Sequence, residues 1–398
     1  MGGIKMSKLK FAIRLTALSP IHIGCDEEYS PPYFYVLGTT RRVEGNRTTE
    51  IPPRMVTVDH SQILQNVTQK EIKRLFPPGD TLPNLRNISE LQDLLREKKV
   101  KGRDIEVSNE FYDHYQTVKN ALSQNNLQII NQFLINRTSF QSISQLPYIP
   151  GSSLKGSIRT GYLNLLRTQT NGSLERMSNQ AVQKTLLSME RIENDPFRSV
   201  RISDLNPAIS SQSGNPLVKT KIGYSVSWKK GRVPNNRPGP PILTETIKDM
   251  SIFVGELDLD ITSNQYIAKQ IKAEVLFPSI HNFYLKRLQE EEREVFQNGH
   301  PIRAKIMQYE EQTKNKLGTF SQTNQKFVSL IRLGRFGGAE SITLDGLRSI
   351  KIMRGGGRTP DYLDHSTTRA QFFENKSGEG IGYPFGWGLL ELIPRGEY

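Results

Sequence analysis

The segment LKFAIRLTAL, residues 9–18, alternates along its length. Leu9, Phe11, Ile13, Leu15 and Ala17 fall on one side, and Lys10, Arg14 and Thr16 on the other. That is the period of a strand with one buried and one wet face. It runs into SPIHIG, where Pro20 and Gly24 end regular pairing. A long loop rich in Pro, Gly, Thr and Arg continues through Pro53, and MVTVD is a second strand. Asp59 is placed to cap a helix through about Leu75. ISELQDLLREKK behind a Ser89 cap and a polar stretch from about Asn109 to Asn126 predict further helices, and NQFLINRT a strand. A helix beginning near Ser153 carries its apolar stripe at Leu154, Ile158, Tyr162, Leu165 and Leu166. Another helix spans roughly Leu174–Ile192, and FRSVRISDL is a strand with Asp204 at its polar end.

From Asn206 the texture changes to Pro, Ser, Gly and Asn, which marks a domain boundary. Beyond it, strands are expected at GYSVSW and ILTETIKDMSIFVGELDLD, joined by KKGRVPNNRPGPP. Three helical stretches follow between about Asn264 and Lys316. The end is glycine-dense: IRLGRFGG, MRGGGR and GEGIGYPFGWG, then a last strand, LLELI. Strands framing helices without regular βαβ alternation predict an α+β protein with antiparallel sheets.

With 398 residues the chain is long enough for two cores, and its 53 Lys plus Arg against 40 Asp plus Glu give +13. That surplus favours a polyanionic partner, nucleic acid before membrane. The single cysteine, Cys25, excludes an internal disulfide framework and any multi-cysteine zinc site. No apolar run approaches the ~20 residues of a membrane-spanning helix. MGGIKMSKLK lacks the apolar stretch of a signal peptide, so a soluble cytoplasmic protein is expected.

YIPGSSLKGSIRT, residues 148–160, opens its helix oddly. Gly156 lowers helix propensity, and Lys155 and Arg159 put cations where the dipole is already positive. A phosphate would explain all three, held by backbone N–H groups, the Ser152 and Ser153 hydroxyls and the two side chains sharing one face. Two solvated cations on a glycine-tolerant helix start would explain them as well. GIGYPFGWG, residues 380–388, can lay backbone amides along phosphates while Phe385 or Trp387 packs beneath. It is neither a dinucleotide fingerprint nor a Walker loop. Between 198 and 237, Arg198, Arg201, Lys219, Lys221, Lys229, Lys230, Arg232 and Arg237 face one acid, Asp204, with Tyr224 and Trp228 interleaved. This is the composition of a nucleic-acid-facing hairpin.

In that order SPIHIG, YIPGSSLKGSIR and GIGYPFGWG resemble the RAMP superfamily of CRISPR proteins over nearly the whole chain. The length, LSPIHIGCDEEYSPP and RLGRFGG are most similar to the fifth-subunit family of the type III-A (Csm) effectors. The resemblance implies two ferredoxin-like (RRM-like) domains with helical insertions, residues 8–205 and 206–398, the second holding the glycine-rich loop. It implies a subunit that binds single-stranded guide RNA (crRNA), caps its 3′ end among other Csm subunits and contributes to its maturation, with host nucleases as further partners. The family's RNA-contacting segment maps onto Ser152, Ser153, Lys155 and Arg159, and its glycine-rich loop onto Gly380, Gly382, Gly386 and Gly388. Lys229, Lys230 and Arg232 are added from the basic hairpin. No aromatic RNP signature is readable, which argues against base stacking on the sheet.

The alternative reading is a RAMP endoribonuclease that processes guide RNA, as metal-independent relatives do with a histidine, or cuts target RNA, as the filament-backbone relatives do with a loop aspartate and a metal. Of His22, His60, His114, His281, His300 and His365, only His22 lies in a family-like motif, and its place between Ile21 and Ile23 suits a partly buried structural residue. Asp26, Glu27 and Glu28 could imitate a metal site, but adjacent side chains rarely converge on one ion. Cys25 has no readable base partner. No catalytic residue, metal ligand or cofactor is assigned, and no membrane partner.

Overall fold

A computed structural model describes residues 8–395 apart from 46, 78–84, 125–133, 171–172, 231–237, 261–266, 268–269, 298, 321–325 and 354–358. The first strand, Lys8–Ala17, lies at the middle of a sheet that has six strands among the described residues. Ile252–Asp260 pairs antiparallel on one side of it and Trp387–Arg395 on the other. Phe327–Arg332 pairs beyond the last strand, and Val200–Ile202 and Asn206–Pro207 pair beyond Ile252–Asp260. The alternation read from the sequence sets the register: Ile13 stands opposite Gly255 and Leu392, Leu15 opposite Phe253 and Leu390. All of these lie on the face that joins Leu154, Ile158 and Tyr162 of the helix Gly151–Thr168 and Leu276, Ile280 and Tyr284 of the helix Ala273–Glu294 in one core. On the opposite face the first strand presents Lys10, Ala12 and Arg14, beside Val254 and Glu256; none is aromatic.

Among the described residues the second sheet has nine strands. Its order runs Gly24–Tyr29, Ile135–Thr138, Ile242–Ile247, Thr220–Lys229, Arg103–Glu106, Arg54–Thr57 and Phe34–Leu37, with Thr368–Phe373 also paired to Thr220–Lys229. The helices Leu85–Glu97 and Asn109–Ser123 contribute Leu85, Ile88, Phe111 and Tyr115 to its core. The protein is therefore α+β. Two of its pairings are parallel, at Lys221–Glu106 and Thr244–Asn136, where only antiparallel ones were expected. Both sheets take strands from each side of residue 206. The texture change there is a loop whose first residues, Asn206 and Pro207, pair with Val254 and Phe253.

Local departures have local causes. The helix expected from Asp59 to Leu75 is two, His60–Asn66 and Gln69–Leu75, because Thr68 and Glu71 form a second capping box. Ser89 caps nothing and lies buried inside Leu85–Glu97. The expected Leu174–Ile192 helix is only Asn179–Leu187, capped by Ser178 and closed by Ser188 in the left-handed region.

Candidate nucleic-acid interface

Four motifs that are far apart in sequence are knitted together. The Gly386 amide donates to the Pro20 carbonyl at 2.8 Å, and the Trp387 amide to the Ser19 hydroxyl at 3.0 Å. The Leu333 amide donates to the Gly386 carbonyl at 2.8 Å, and the Arg335 amide to the His22 carbonyl at 2.8 Å. Ser157, one turn into the opening helix, donates its hydroxyl to the Arg332 carbonyl at 2.9 Å. SPIHIG, SSLKGSIR, RLGRFGG and GYPFGWG thus build one surface.

Beneath it is a buried ionic network. The Glu291 carboxylate accepts from Arg332 at 2.8 Å, from the Trp387 indole N–H at 2.8 Å and from His300 Nε2 at 3.1 Å. Arg369 approaches the same carboxylate at 3.3 Å. Burial alone would raise the Glu291 pKa, but Arg332, His300 and Arg369 hold it far below the usual carboxylate range. Arg332 also donates to the Phe385 carbonyl at 2.9 Å and lies over the Trp387 ring. Phe385 and Trp387 are fully buried, as the reading of the glycine loop expects.

The glycines serve this packing more than a ligand. Gly386 has φ +88°, and a Cβ on it would lie 2.4 Å from the Leu333 carbonyl oxygen. A Cβ on Gly382 would strike the Gln371 side chain, and Gly388 is a strand residue between Ala17 and Ile331. The amides of Gly386 and Trp387 are already engaged and cannot line a phosphate. Gly380 differs: it is exposed, at φ +88°, with open space where a Cβ would be.

The opening helix divides its predicted residues. The Gly151 amide is taken by the Asp204 carboxylate at 2.7 Å, an anion the chain supplies itself. Ser152 is exposed and Ser153 half-buried. Arg159 is bound inward, with its guanidinium on Asp195 at 2.8 and 3.1 Å and on Gln183 at 3.0 Å, near the Phe197 ring. Lys155 makes no ion pair among the described residues. Desolvation, together with Arg159 and Arg201, lowers its pKa against the opposing pull of Asp195. Arg201 is exposed beside it.

In the basic hairpin Lys230 is bound to Glu294 at 2.8 Å and Glu340 at 2.7 Å, and Lys221 to Glu106 and Glu374. Tyr224 is a core residue. Lys229 is exposed at the strand end, and Arg232 lies outside the described residues. The cation that sequence reasoning passed over is Arg335, exposed and without an ion pair among the described residues. Its position inside RLGRFGG, between two glycines, was the available signal.

His22 is buried, and its Nδ1 donates to the Glu245 carbonyl at 2.8 Å. The Glu245 side chain is itself fixed by Arg103 and Tyr29. Asp26, Glu27 and Glu28 are exposed on the edge strand Gly24–Tyr29, and Cys25 Sγ donates to the Arg137 carbonyl at 3.4 Å. Among the described residues no three His, Cys, Asp or Glu side chains converge as a metal ion would need. No described helix is long and apolar enough to cross a membrane.

The fold and its interlocked loops belong to a known class: the RAMP superfamily model matches residues 14–341, and the chain is a member of that family. Within it the likeness is to the fifth Csm subunit. Csm5 of Streptococcus thermophilus is 24% identical over 255 residues, 64% of each chain, so this chain spans under two thirds of that relative. Csm5 of Methanocaldococcus jannaschii is 22% identical over 96% of this chain and 88% of its own. A chain in the cryo-EM structure of a Csm–crRNA–target RNA ternary complex from a type III-A CRISPR-Cas system superposes with TM-score 0.54. That match has 16% identity and covers 97% of this chain and 100% of that one.

Proposed function

We propose that this chain is the Csm5 subunit of a type III-A CRISPR effector: a non-catalytic protein that holds single-stranded crRNA by its phosphates. It caps the 3′ end beside the other Csm subunits and contributes to crRNA maturation, with host nucleases doing the cutting. The observation that carries this reading is the interlocking of the four motifs into one surface with Arg335 exposed on it, Lys155 on the helix it anchors and Arg201 on the strand Val200–Ile202 beside that helix. The net charge of +13 and membership of the RAMP superfamily support it.

The test is binding of the purified chain to single-stranded RNA across a salt series. Affinity falls with a log–log slope of about 0.7 per phosphate neutralised, and Arg335→Ala reduces that slope. Salt-independent affinity, or preference for duplex DNA, overturns the RNA reading. RNA cleavage that survives purification and vanishes in His22→Ala overturns the non-catalytic one.

A further inference from the structure

The open face of the first strand carries no aromatic side chain, so a base has no ring to stack on there. A ring is offered instead where the first and last motifs meet. Pro20 of SPIHIG and Tyr383 of GIGYPFGWG line a pocket of about 220 Å³. That is roughly seven times the share of one water in the liquid, room for one ring system and little more. Tyr383 is 38% exposed and Glu374, on the same pocket, is exposed, so the mouth is open to solvent. Tyr383 stands directly opposite Phe372 in the pairing of Tyr383–Pro384 with Thr368–Phe373, which puts both rings on one face. Phe372 also lines the pocket and packs edge-on against Phe385, with 6.1 Å between ring centres, so the floor is tied to the glycine loop.

The other walls are charged, and their charges cancel. Lys221 pairs with Glu106 at 3.0 Å and Glu374 at 2.5 Å, Lys248 with Glu106 at 2.7 Å, and Asp249 with Lys305 at 2.5 Å. Three cations stand against three carboxylates, which leaves no net charge to draw in a phosphate. Hydrogen-bonding capacity is nonetheless left over. An ammonium has three N–H donors, and Lys248 spends one, on Glu106, among the described residues. Glu374 accepts from Lys221 through Oε1, and its Oε2 has no partner among the described residues.

We propose that this pocket takes one nucleobase turned out of the bound strand, stacked on Tyr383 with its polar edge towards Lys248 and Glu374. The assignment rests on the RNA-binding reading above and adds to it a place where a base, and not only phosphate, is held. The chemistry selects the group. A phosphate would lie against Glu374 and Asp249 with no surplus cation to offset them, and a ribose has no π-face to set on a ring. A base has that face, and its edge carries both a donor for a carboxylate and an acceptor for an ammonium.

The experiment uses the full chain and two strands of equal length, oligouridine and an abasic ribose-phosphate strand with hydrogen in place of each base. Tyr383→Leu weakens oligouridine binding roughly fivefold or more, and the loss is confined to the strand that has bases. Its salt slope stays that of the unmodified chain, because no phosphate contact is removed. Tyr383→Phe, which keeps the ring, recovers the affinity lost in Tyr383→Leu. Photo-crosslinking of the unmodified chain to a 5-iodouridine strand, which needs no variant to fold, labels Tyr383. Unchanged oligouridine affinity in Tyr383→Leu overturns the proposal, as does an equal loss for both strands. So does a label found only outside the pocket, or equal labelling of Tyr383 by the free 5-iodouridine nucleoside at the same concentration, which would make the pocket a nucleoside site with no strand to deliver the base. An unmodified chain that binds neither strand overturns the RNA-binding reading itself.

Discussion

The Ser157 hydroxyl donates to the Arg332 carbonyl at 2.9 Å, joining the opening helix to a strand 175 residues further on. The Arg332 side chain reaches the Glu291 carboxylate and the Phe385 carbonyl, so helix, third motif and glycine loop meet at one residue, the helix through its backbone and the others through its guanidinium. Cations beside this helix therefore fall into two kinds. Those bound to acids of other elements hold the fold together, as Arg159 does on Asp195, and those facing water are the ones the proposed function assigns to RNA.

Lys155 and Arg159 separate along that line. Arg159→Ala removes the guanidinium from Asp195 and Gln183, and stability falls by about 1–3 kcal/mol. Lys155→Ala leaves the thermal midpoint nearly unchanged, weakens RNA binding about fivefold and lowers the salt slope by about 0.7. Calorimetry and titration on the two single mutants check both. A destabilised Lys155→Ala, or an Arg159→Ala that folds normally and loses RNA, reverses the assignment.

The glycine loop yields a second contrast. Gly386→Ala forces a side chain into the left-handed region, at a cost of about 1–3 kcal/mol, and drives its Cβ into the Leu333 carbonyl. Gly380→Ala has the same φ but open space, so it carries that backbone cost alone, without the clash. Denaturant midpoints for the pair rank Gly386→Ala well below Gly380→Ala. Equal losses would mean that the loop is not held by its packing.

Features set by near neighbours in the chain were the legible ones. The first strand follows from Leu9 to Ala17 alone, and the face of Leu154, Ile158 and Tyr162 from helical spacing. The second capping box could have been read from Thr68 and Glu71. Partners were not legible. Nothing near Arg159 announces Asp195, and nothing near Lys230 announces Glu294 and Glu340, because those pairings depend on tertiary placement. A basic residue in a motif reads the same whether it faces an acid from another element or a ligand. Glycines misled similarly: Gly386 and Gly380 share φ +88°, and only the surroundings separate a packing glycine from a surface one.

The buried carboxylate under the glycine loop has a graded response. Trp387→Phe deletes one donor to Glu291 and leaves part of the indole's space empty, a loss of about 2–3 kcal/mol. Glu291→Gln keeps the shape but strands Arg332 without its anion and leaves Arg369 only Glu340, a loss of roughly 3–5 kcal/mol. Urea unfolding of the two variants, followed by tryptophan fluorescence for Glu291→Gln and by circular dichroism for both, gives the order. If Glu291→Gln is the milder change, the network is held by packing and not by charge.

Acid should loosen the core of the second sheet through His114. Its Nδ1 lies 3.0 Å from the Tyr224 hydroxyl, and burial first, then the charge of Lys376, lowers its pKa to about 4 from the ordinary 6.5. Between those values the unfolded chain binds the proton and the folded chain does not. The contribution of His114 to stability is therefore complete above about pH 6.5 and is lost as the pH falls towards 4. Burial also lowers His22 and His281, which act in the same direction. Carboxylates titrate in this range too, so the informative quantity is the difference between the unmodified chain and His114→Asn. Thermal midpoints taken from pH 7.5 down to 4 converge for the two proteins, because the variant lacks the histidine's share of the acid loss. Parallel curves would show that His114 titrates alike in the folded and unfolded chains and that its burial beside Tyr224 does not disfavour its charge.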